Sequence, residues 1–224
     1  MKILVGTCDK YKDTWEPFIH GFKKYWANCP WVLCWACNTI EPAYGTPLLS
    51  GEYNNWSRTM ISALNKINDE VILLLLDDYW LTKEPDTKKI ERYVDLLLGS
   101  NVEHIRLIPS EDIEGSFCDL DVNLFKNDAP YRCSTQAGLW KRQTLLDLLK
   151  DGEDIWTFEN EASKRSKGKL FTCANKYLIH YVYPEDPDFD WKKQPVENGK
   201  WTKDAKRYIQ KEKLGIILGK NPND

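Results

Sequence analysis

Two adjacent carboxylates, Asp77 and Asp78, directly follow an uninterrupted apolar run over residues 71–76. Such a run is typical of a central parallel strand that is covered on both sides. Ligands of open α/β sheets bind beyond the carboxyl ends of the strands, where carboxylate oxygens can hold Mg²⁺ or Mn²⁺ together with substrate phosphates. The pattern therefore predicts a metal and phosphate site, and an ordinary acidic turn after a strand is the alternative.

The elements that must position these aspartates alternate as strand, helix, strand, helix, strand. This order predicts a doubly wound α/β half. The predicted strands cover residues 2–8, 31–37 and 70–76, and the predicted helices cover residues 11–28 and 56–67, the second capped by Ser57. Residues 38–55 contain two prolines and two glycines and are predicted to form a loop.

The second half of the chain has a less regular pattern. Helices are predicted over residues 87–98, 142–150, 153–163 and 201–213, and strands over residues 104–109, 134–140, 169–173 and 177–183. Residues 110–132 are predicted to be irregular or to form short antiparallel strands, and the prolines at 184–187 to break the chain. The predicted fold class is α/β, with a mostly parallel sheet flanked by helices and a smaller antiparallel portion. We expect one domain over residues 1–224.

Composition excludes several classes of protein. The chain of 224 residues is 42% hydrophobic and 29% charged, which rules out wholesale disorder, and its net charge of −3 gives no general attraction to nucleic acid or anionic membranes. No apolar run approaches the roughly 20 residues of a membrane helix, and the first residues turn polar too soon for a signal peptide. With seven cysteines and no export signal, we expect a soluble, cytoplasmic protein with reduced thiols. The closest cysteine pair, Cys34 and Cys37, lacks a second pair for zinc and is predicted to be buried in a strand.

The sequence resembles glycosyltransferases of the GT-A fold, in which an acidic Asp-x-Asp type motif ends the central strand and grips the diphosphate of a nucleotide sugar. It is similar to small bacterial and phage-type members with an Asp-Asp-Tyr/Phe motif after a Leu-rich strand. The likeness also rests on Thr-Cys-Asp at 7–9, Trp-Ser-Arg at 56–58, Trp-x-Phe-Glu-x-x-x-Ser at 156–163 and Gly-Lys-Trp at 199–201. Tyr79 stands where a strict Asp-x-Asp motif has its second acid.

The resemblance implies roles for particular residues. Residues 1–109 would form the half that binds the nucleotide sugar, and residues 110–224 would form the acceptor side with a basic tail. Asp77 and Asp78 would hold Mn²⁺ or Mg²⁺, with Asp78 counted among the catalytic residues and His180 as a third ligand. Glu159 would be the general base, with Glu161 the less favoured candidate, because the two residues point to different sides of a helix. The donor would be contacted by Thr7, Cys8, Asp9, Trp56, Arg58 and Arg165. A guanidinium in the first turn of a helix, as at Arg58, suits phosphate.

The implied function is transfer of a sugar from a nucleoside-diphosphate donor, a UDP-sugar, to an acceptor hydroxyl on a saccharide. Two alternatives stay open. The basic clusters at 164–169 and 191–213 favour DNA with a modified base as the acceptor. Tyr79 in place of the second acid favours a catalytically inactive module that binds the donor without turnover.

Overall fold

The computed structural model describes residues 1–118, 121–181, 195–197, 199–216 and 218. The strands are β1 (Lys2–Gly6), β2 (Val32–Cys37), β3 (Thr46–Leu49), β4 (Val71–Leu76), β5 (Val102–Arg106), β6 (Ile113–Cys118), β7 (Val122–Phe125), β8 (Gly138–Lys141), β9 (Leu170–Ala174), β10 (Val196–Glu197) and β11 (Lys200–Trp201). The helices are α1 (Trp15–Tyr25), α2 (Trp56–Leu64), α3 (Thr87–Gly99), α4 (Arg142–Leu148), α5 (Ile155–Arg165) and α6 (Lys203–Lys211), and a 3₁₀ helix covers Asp9–Thr14.

Nine strands form one mixed sheet in the order β3-β2-β1-β4-β8-β5-β9-β7-β6, and β10 and β11 form a separate pair. Every strand of the large sheet except β7 and β8 runs in the same direction. The predicted fold class, a mostly parallel α/β sheet flanked by helices with a smaller antiparallel portion, is confirmed. Strands β6 and β7, which lie in the segment predicted to be irregular or to form short antiparallel strands, pair antiparallel at one edge of the sheet.

Strand β4 has one parallel neighbour and not two. It pairs in parallel with β1 and antiparallel with β8, which lies between β4 and β5. The expectation of a central parallel strand is therefore correct on one side only. Because β8 runs in the opposite direction, the residues that precede it lie at the same sheet edge as the carboxyl end of β4. This arrangement brings a loop from the second half of the chain to the predicted site.

Each face of the sheet is covered by its own apolar cluster. Leu73 and Leu75 of β4 belong to the cluster that includes side chains of α1, α3 and α6. Ile72 and Leu74 belong to the opposite cluster, which includes side chains of α2, α4 and α5. All four side chains are fully buried, which explains why β4 reads as a continuous apolar run rather than an alternating one.

Three local predictions are wrong. The 38–55 segment contains β3, which tolerates Pro47 because it is an edge strand paired only with β2. The cap of α2 is Asn55, whose side chain accepts a hydrogen bond from the backbone N–H of Arg58, and not Ser57. Residues 177–181 do not form a strand, and His180 makes only an isolated bridge with Lys83. The remainder of that predicted strand, the break at 184–187 and most of 191–198 lie outside the described residues.

The cysteines and the helices bear on the predicted compartment. All seven cysteines are free thiols, and Cys34 and Cys37 are buried on β2, as predicted. In the part of the chain that the structure describes, no helix has the length and apolar character needed to cross a membrane.

The C-terminal helix is fastened to α1 by a buried carboxylate. Glu212, whose side chain is 2% exposed, accepts hydrogen bonds from Lys24 Nζ at 2.6 Å and Tyr25 Oη at 2.7 Å, and its Oε2 lies 2.9 Å from His20 Nε2. Burial alone would raise the pKa of Glu212, but these partners outweigh burial and lower the pKa to about 2. The helices approach so closely here that a Cβ on Gly21 would lie 2.5 Å from Tyr208 Oη.

We expect Glu212→Gln to lower the free energy of unfolding at pH 7 by about 2 kcal/mol, because the buried cluster loses its only acid. The folded-state pKa of Glu212 is below its unfolded value, so its contribution is complete above the usual carboxylate range and is lost as pH falls towards about 2. Urea unfolding of the wild type and of the variant should show that the difference in their free energies of unfolding becomes smaller from pH 7 to about pH 3.

Glu161→Gln is the matched control, because Glu161 also pairs with a lysine, Lys164 at 2.6 Å, but in solvent. It should leave the unfolding curve unchanged. Equal effects of the two substitutions would show that the buried cluster does not hold α6.

Candidate active site

The two aspartates lie in a reverse turn at the end of β4, closed by a hydrogen bond from Tyr79 N–H to Leu76 O at 3.1 Å. Both are buried, with 8% of Asp77 and 9% of Asp78 exposed. Asp77 Oδ2 accepts a short hydrogen bond from Thr7 Oγ1. Asp78 Oδ1 is buried and has no hydrogen-bond partner among the described residues. One carboxylate is therefore fixed by the protein, and the other has an oxygen that the described residues leave unsatisfied.

Burial makes this pair reluctant to ionise. It raises the pKa of Asp77 to about 6, against the hydrogen bond from Thr7, which lowers it. Burial and the charge of Asp77 raise the pKa of Asp78 well above its ordinary value. Burial and the repulsion between the two carboxylates favour the protonated form, and a bound cation would favour the ionised form. Asp77 and Asp78 fit Mg²⁺ or Mn²⁺, which take one or two protein carboxylates and complete their shell with phosphate and water.

The two aromatic residues that follow the aspartates anchor the turn in the core. The Tyr79 ring stacks on Tyr181 with centroids 4.1 Å apart, and its hydroxyl donates to Thr135 O at 3.1 Å. Trp80 Nε1 donates to Thr14 O and Asp77 O at 3.1 and 3.2 Å. The Tyr79 side chain is thus part of the core, and it does not replace the second acid as a ligand.

The end of β1 lies beside Asp77. Thr7 Oγ1 also accepts a hydrogen bond from Trp15 Nε1 at 2.7 Å, so this hydroxyl is fixed from both sides. Burial and the charge of Asp77 raise the pKa of Cys8 to about 11, and its thiol is neutral. Asp9 accepts hydrogen bonds from Thr39 and from the backbone N–H of Ile40, which outweigh burial and lower its pKa. The Asp9 carboxylate therefore fastens the end of β1 to the loop after β2, and its contact to the donor stays a prediction.

The start of α2 contributes two predicted donor contacts that differ in access. Trp56 is buried and packs on Phe158 with centroids 5.1 Å apart, and its contact to the donor stays a prediction. Arg58 has a side chain that is 60% exposed, 3.8 Å from Asp151. It borders a depression of about 260 Å³ whose other lining residues are Ser50, Glu52, Asn54 and Thr59.

Glu159 reaches the same sheet edge from α5. Its Oε1 accepts hydrogen bonds from Thr135 N at 2.6 Å and Thr135 Oγ1 at 2.8 Å, while burial keeps its pKa raised. The pKa of Tyr79 is raised by burial and also by the charges of Tyr181, Asp78 and Glu159. The two predicted catalytic carboxylates, Asp78 and Glu159, therefore both lie within electrostatic reach of one phenol.

Two predicted residues are not part of this group. His180 is drawn to the segment after β4, where its carbonyl accepts from Thr82 N at 2.8 Å, and within the described ranges no three His, Cys, Asp or Glu side chains are grouped to hold a metal. The predicted third-ligand role of His180 is therefore not supported. Arg165 forms a bidentate ion pair with Glu153, both contacts at 2.7 Å, so it is not free for a diphosphate.

The same correction covers the basic cluster around Arg165. Lys164 pairs with Glu161 at 2.6 Å, and Lys169 pairs with Glu103 at 2.8 Å. Neighbouring carboxylates therefore pair with three of the four cations of this cluster, which weakens its interpretation as a phosphate-binding rim. The second cluster lies partly outside the described residues.

Sequence reasoning missed Arg106, the last residue of β5. It is 8% exposed, its Nη2 donates to Tyr131 O at 2.8 Å, and its Nε is buried without a partner. The strand predicted at 104–109 placed Arg106 in its interior, and neither the end of β5 at Arg106 nor the position of β5 beside β8 was visible in the sequence.

No family model matches the chain, and no curated protein matches it. Similar solved structures include a UDP-glucose pyrophosphorylase complexed with UDP-glucose, at 12% identity over 80% of this chain and 90% of that one, with a TM-score of 0.47. TarS 1–349 of S. aureus is 13% identical over 78% of this chain and 60% of that one, with a TM-score of 0.44. The bifunctional IspDF from Campylobacter jejuni is 11% identical over 70% of this chain and 46% of that one, with a TM-score of 0.33. At these identities and scores the likeness says nothing about activity, which rests on the residues of the site.

We expect Asp78→Asn to raise the free energy of unfolding of the metal-free protein at pH 7 by about 1 kcal/mol, because it removes a buried group that is costly to ionise. The folded-state pKa values of the pair are raised, so the wild-type protein gains stability as pH falls from 7 towards about 5. Thermal unfolding should show that the variant gains less stability than the wild type over that pH range. Asp9→Asn is the control and should destabilise, because its pKa is lowered. A clear loss of stability in Asp78→Asn would contradict the assignment of Oδ1 as unsatisfied.

Proposed function

We propose that the protein is a glycosyltransferase that moves a sugar from a nucleoside-diphosphate donor, a UDP-sugar, to a hydroxyl of a saccharide acceptor. The observation that carries this proposal is the buried Asp77–Asp78 pair at the carboxyl end of β4, with Asp78 Oδ1 left without a partner. A site of this kind is incomplete without a cation, and phosphate is the usual companion of such a cation.

On the donor side, Thr7 fixes Asp77, and Asp78 presents the open oxygen. A divalent cation held there would neutralise the charge that develops on the departing diphosphate. Arg58, in the first turn of α2, has an exposed guanidinium. The depression beside it has room for part of the nucleotide. Its side chain would contact phosphate or ribose from the helix N-terminus.

On the acceptor side, Glu159 is suited to accept a proton. Thr135 holds Oε1 with two hydrogen bonds, which orients the carboxylate and leaves Oε2 without a hydrogen bond to the described residues. Burial raises the pKa of Glu159, and a base with a raised pKa takes a hydroxyl proton more readily. In an inverting transfer, this proton leaves the acceptor as its oxygen attacks the anomeric carbon.

Two substitutions separate the donor and acceptor functions. We expect Asp78→Asn to abolish stabilisation by UDP with Mn²⁺ and to reduce UDP release from a UDP-sugar by about 100-fold or more. Glu159→Gln keeps an oxygen for Thr135, so it should bind UDP normally and lose about 100-fold in turnover. The measurements are thermal shifts with UDP, GDP, CDP and dTDP, each with and without Mn²⁺, and release of the nucleotide diphosphate.

Glu161→Gln, two residues further along α5 and paired with Lys164, is the matched control and should be fully active. The proposal fails if no nucleotide stabilises the wild-type protein. Nucleotide binding with no turnover in the wild type would instead assign the inactive binding module.

A further inference from the structure

Arg106 is a buried cation without a counter-ion. Among the described residues no carboxylate lies within ion-pair distance of its guanidinium, and only Nη2 makes a hydrogen bond, to the Tyr131 carbonyl. The guanidinium carbon lies 4.6 Å from the centroid of the Phe125 ring, which compensates part of the charge. Removing an arginine from water without an anion at ion-pair distance is costly, so a bound anion would offset part of this cost.

The position of Arg106 relates it to Glu159. Arg106 pairs in register with Gly138 at the start of β8, and the loop before β8 contains Thr135, which holds Glu159. The positive charge of Arg106 lowers the pKa of Glu159, although its effect is smaller than those of burial and of the two Thr135 hydrogen bonds, and burial keeps that pKa raised. The donor-side residues follow β1 and open α2 on the other side of β4, with β8 between β4 and β5. An anion at Arg106 is therefore adjacent to the proposed base and separate from the proposed diphosphate position.

A strained residue marks the same place. Tyr131 has a φ of 53°, a left-handed conformation that is unfavourable for an aromatic residue. Its carbonyl accepts hydrogen bonds from Arg106 Nη2 at 2.8 Å and from Ser134 N at 2.9 Å, and these contacts hold the loop in this shape. The ring is 50% exposed. Strain of this kind persists where the surroundings fix it, and it concentrates at ligand sites.

We propose that Arg106 binds an anionic group, a phosphate or a carboxylate, on the acceptor, so that the acceptor of the proposed transfer is an acidic saccharide whose hydroxyl is presented to Glu159. This inference rests on the proposed function for the acceptor's identity. The anion site itself rests only on the unpaired guanidinium and the strained loop. A guanidinium suits both anions, because its planar N–H groups match their oxygens.

The test is calorimetric titration of the full chain with inorganic phosphate and with acetate at low ionic strength. We expect one of the two anions to bind the wild-type protein, which identifies the acceptor's acidic group, and Arg106→Gln to weaken that binding by about 10- to 100-fold. Lys164→Gln is the control, because it removes an exposed charge of the same sign, and it should bind the anion as the wild type does. Arg58→Gln reports any phosphate that binds on the donor side. If Arg106→Gln fails to fold, Arg106→Lys takes its place in the test. It keeps the positive charge without the planar N–H donors, and it should bind the anion more weakly than the wild type does.

The outcomes separate this inference from the proposed function. Binding of neither anion, or binding lost in Arg58→Gln and kept in Arg106→Gln, overturns the anion site. Loss of UDP stabilisation in Arg106→Gln overturns its assignment to the acceptor. Phosphate or acetate binding through Arg106 in a protein that binds no nucleotide supports the anion site and rejects the proposed function.

Discussion

The burial of two neighbouring carboxylates at the end of β4 is the constraint on which the rest of this structure depends. Asp77 and Asp78 repel each other and lose water, and the fold provides no cationic side chain within ion-pair distance of them among the described residues. Thr7 satisfies one carboxylate, and the aromatic residues after the turn, Tyr79 and Trp80, prevent the segment from moving into solvent. Packing in the core therefore keeps the two carboxylates close together, although their repulsion favours their separation.

The reversed direction of β8 determines which parts of the chain meet the aspartates. A parallel strand in this position would place its first residues at the opposite edge of the sheet. Instead, the loop before β8 reaches the edge where β4 ends, and Thr135 links it both to Tyr79 and to Glu159. Ser163, one turn after Glu159 on α5, accepts a hydrogen bond from Cys133 N and ties down the same loop. Helix α5 thus positions a carboxylate and the loop that orients it.

Features with a local cause could be predicted from the sequence, and features that depend on pairing could not. Strand β4 and its two aspartates were predictable because a buried strand leaves a run of apolar residues. Strand β3 was missed because Pro47 signals a loop unless the strand is known to be at an edge. The assignment of Arg165 to phosphate overlooked its ion pair with Glu153. Glu153 lies on the connection before α5, and only the folded chain brings the two side chains together.

Arg106 shows the same limit more sharply. In the sequence it is one charged residue inside the strand predicted at 104–109, and its lack of a carboxylate at ion-pair distance is a property of the folded surroundings. The metal role of His180 stays a prediction. The structure shows only that the segment at 177–181 lies against the chain after Trp80, through Thr82 and Lys83, which no local pattern of the sequence indicates.

The contact between Tyr208 and the segment after β4 has a consequence for biosynthesis. The Tyr208 hydroxyl donates to Leu81 O at 3.1 Å, and Tyr208 packs on Trp80 across more than half of the chain. Contacts so distant in sequence form late, because a long loop must close first. A nascent chain that has emerged only as far as α5 already contains every carboxylate of the site but lacks the helix that covers Trp80. The Trp80 side chain, which donates to the Asp77 carbonyl, is therefore covered only after α6 has been synthesised and has docked.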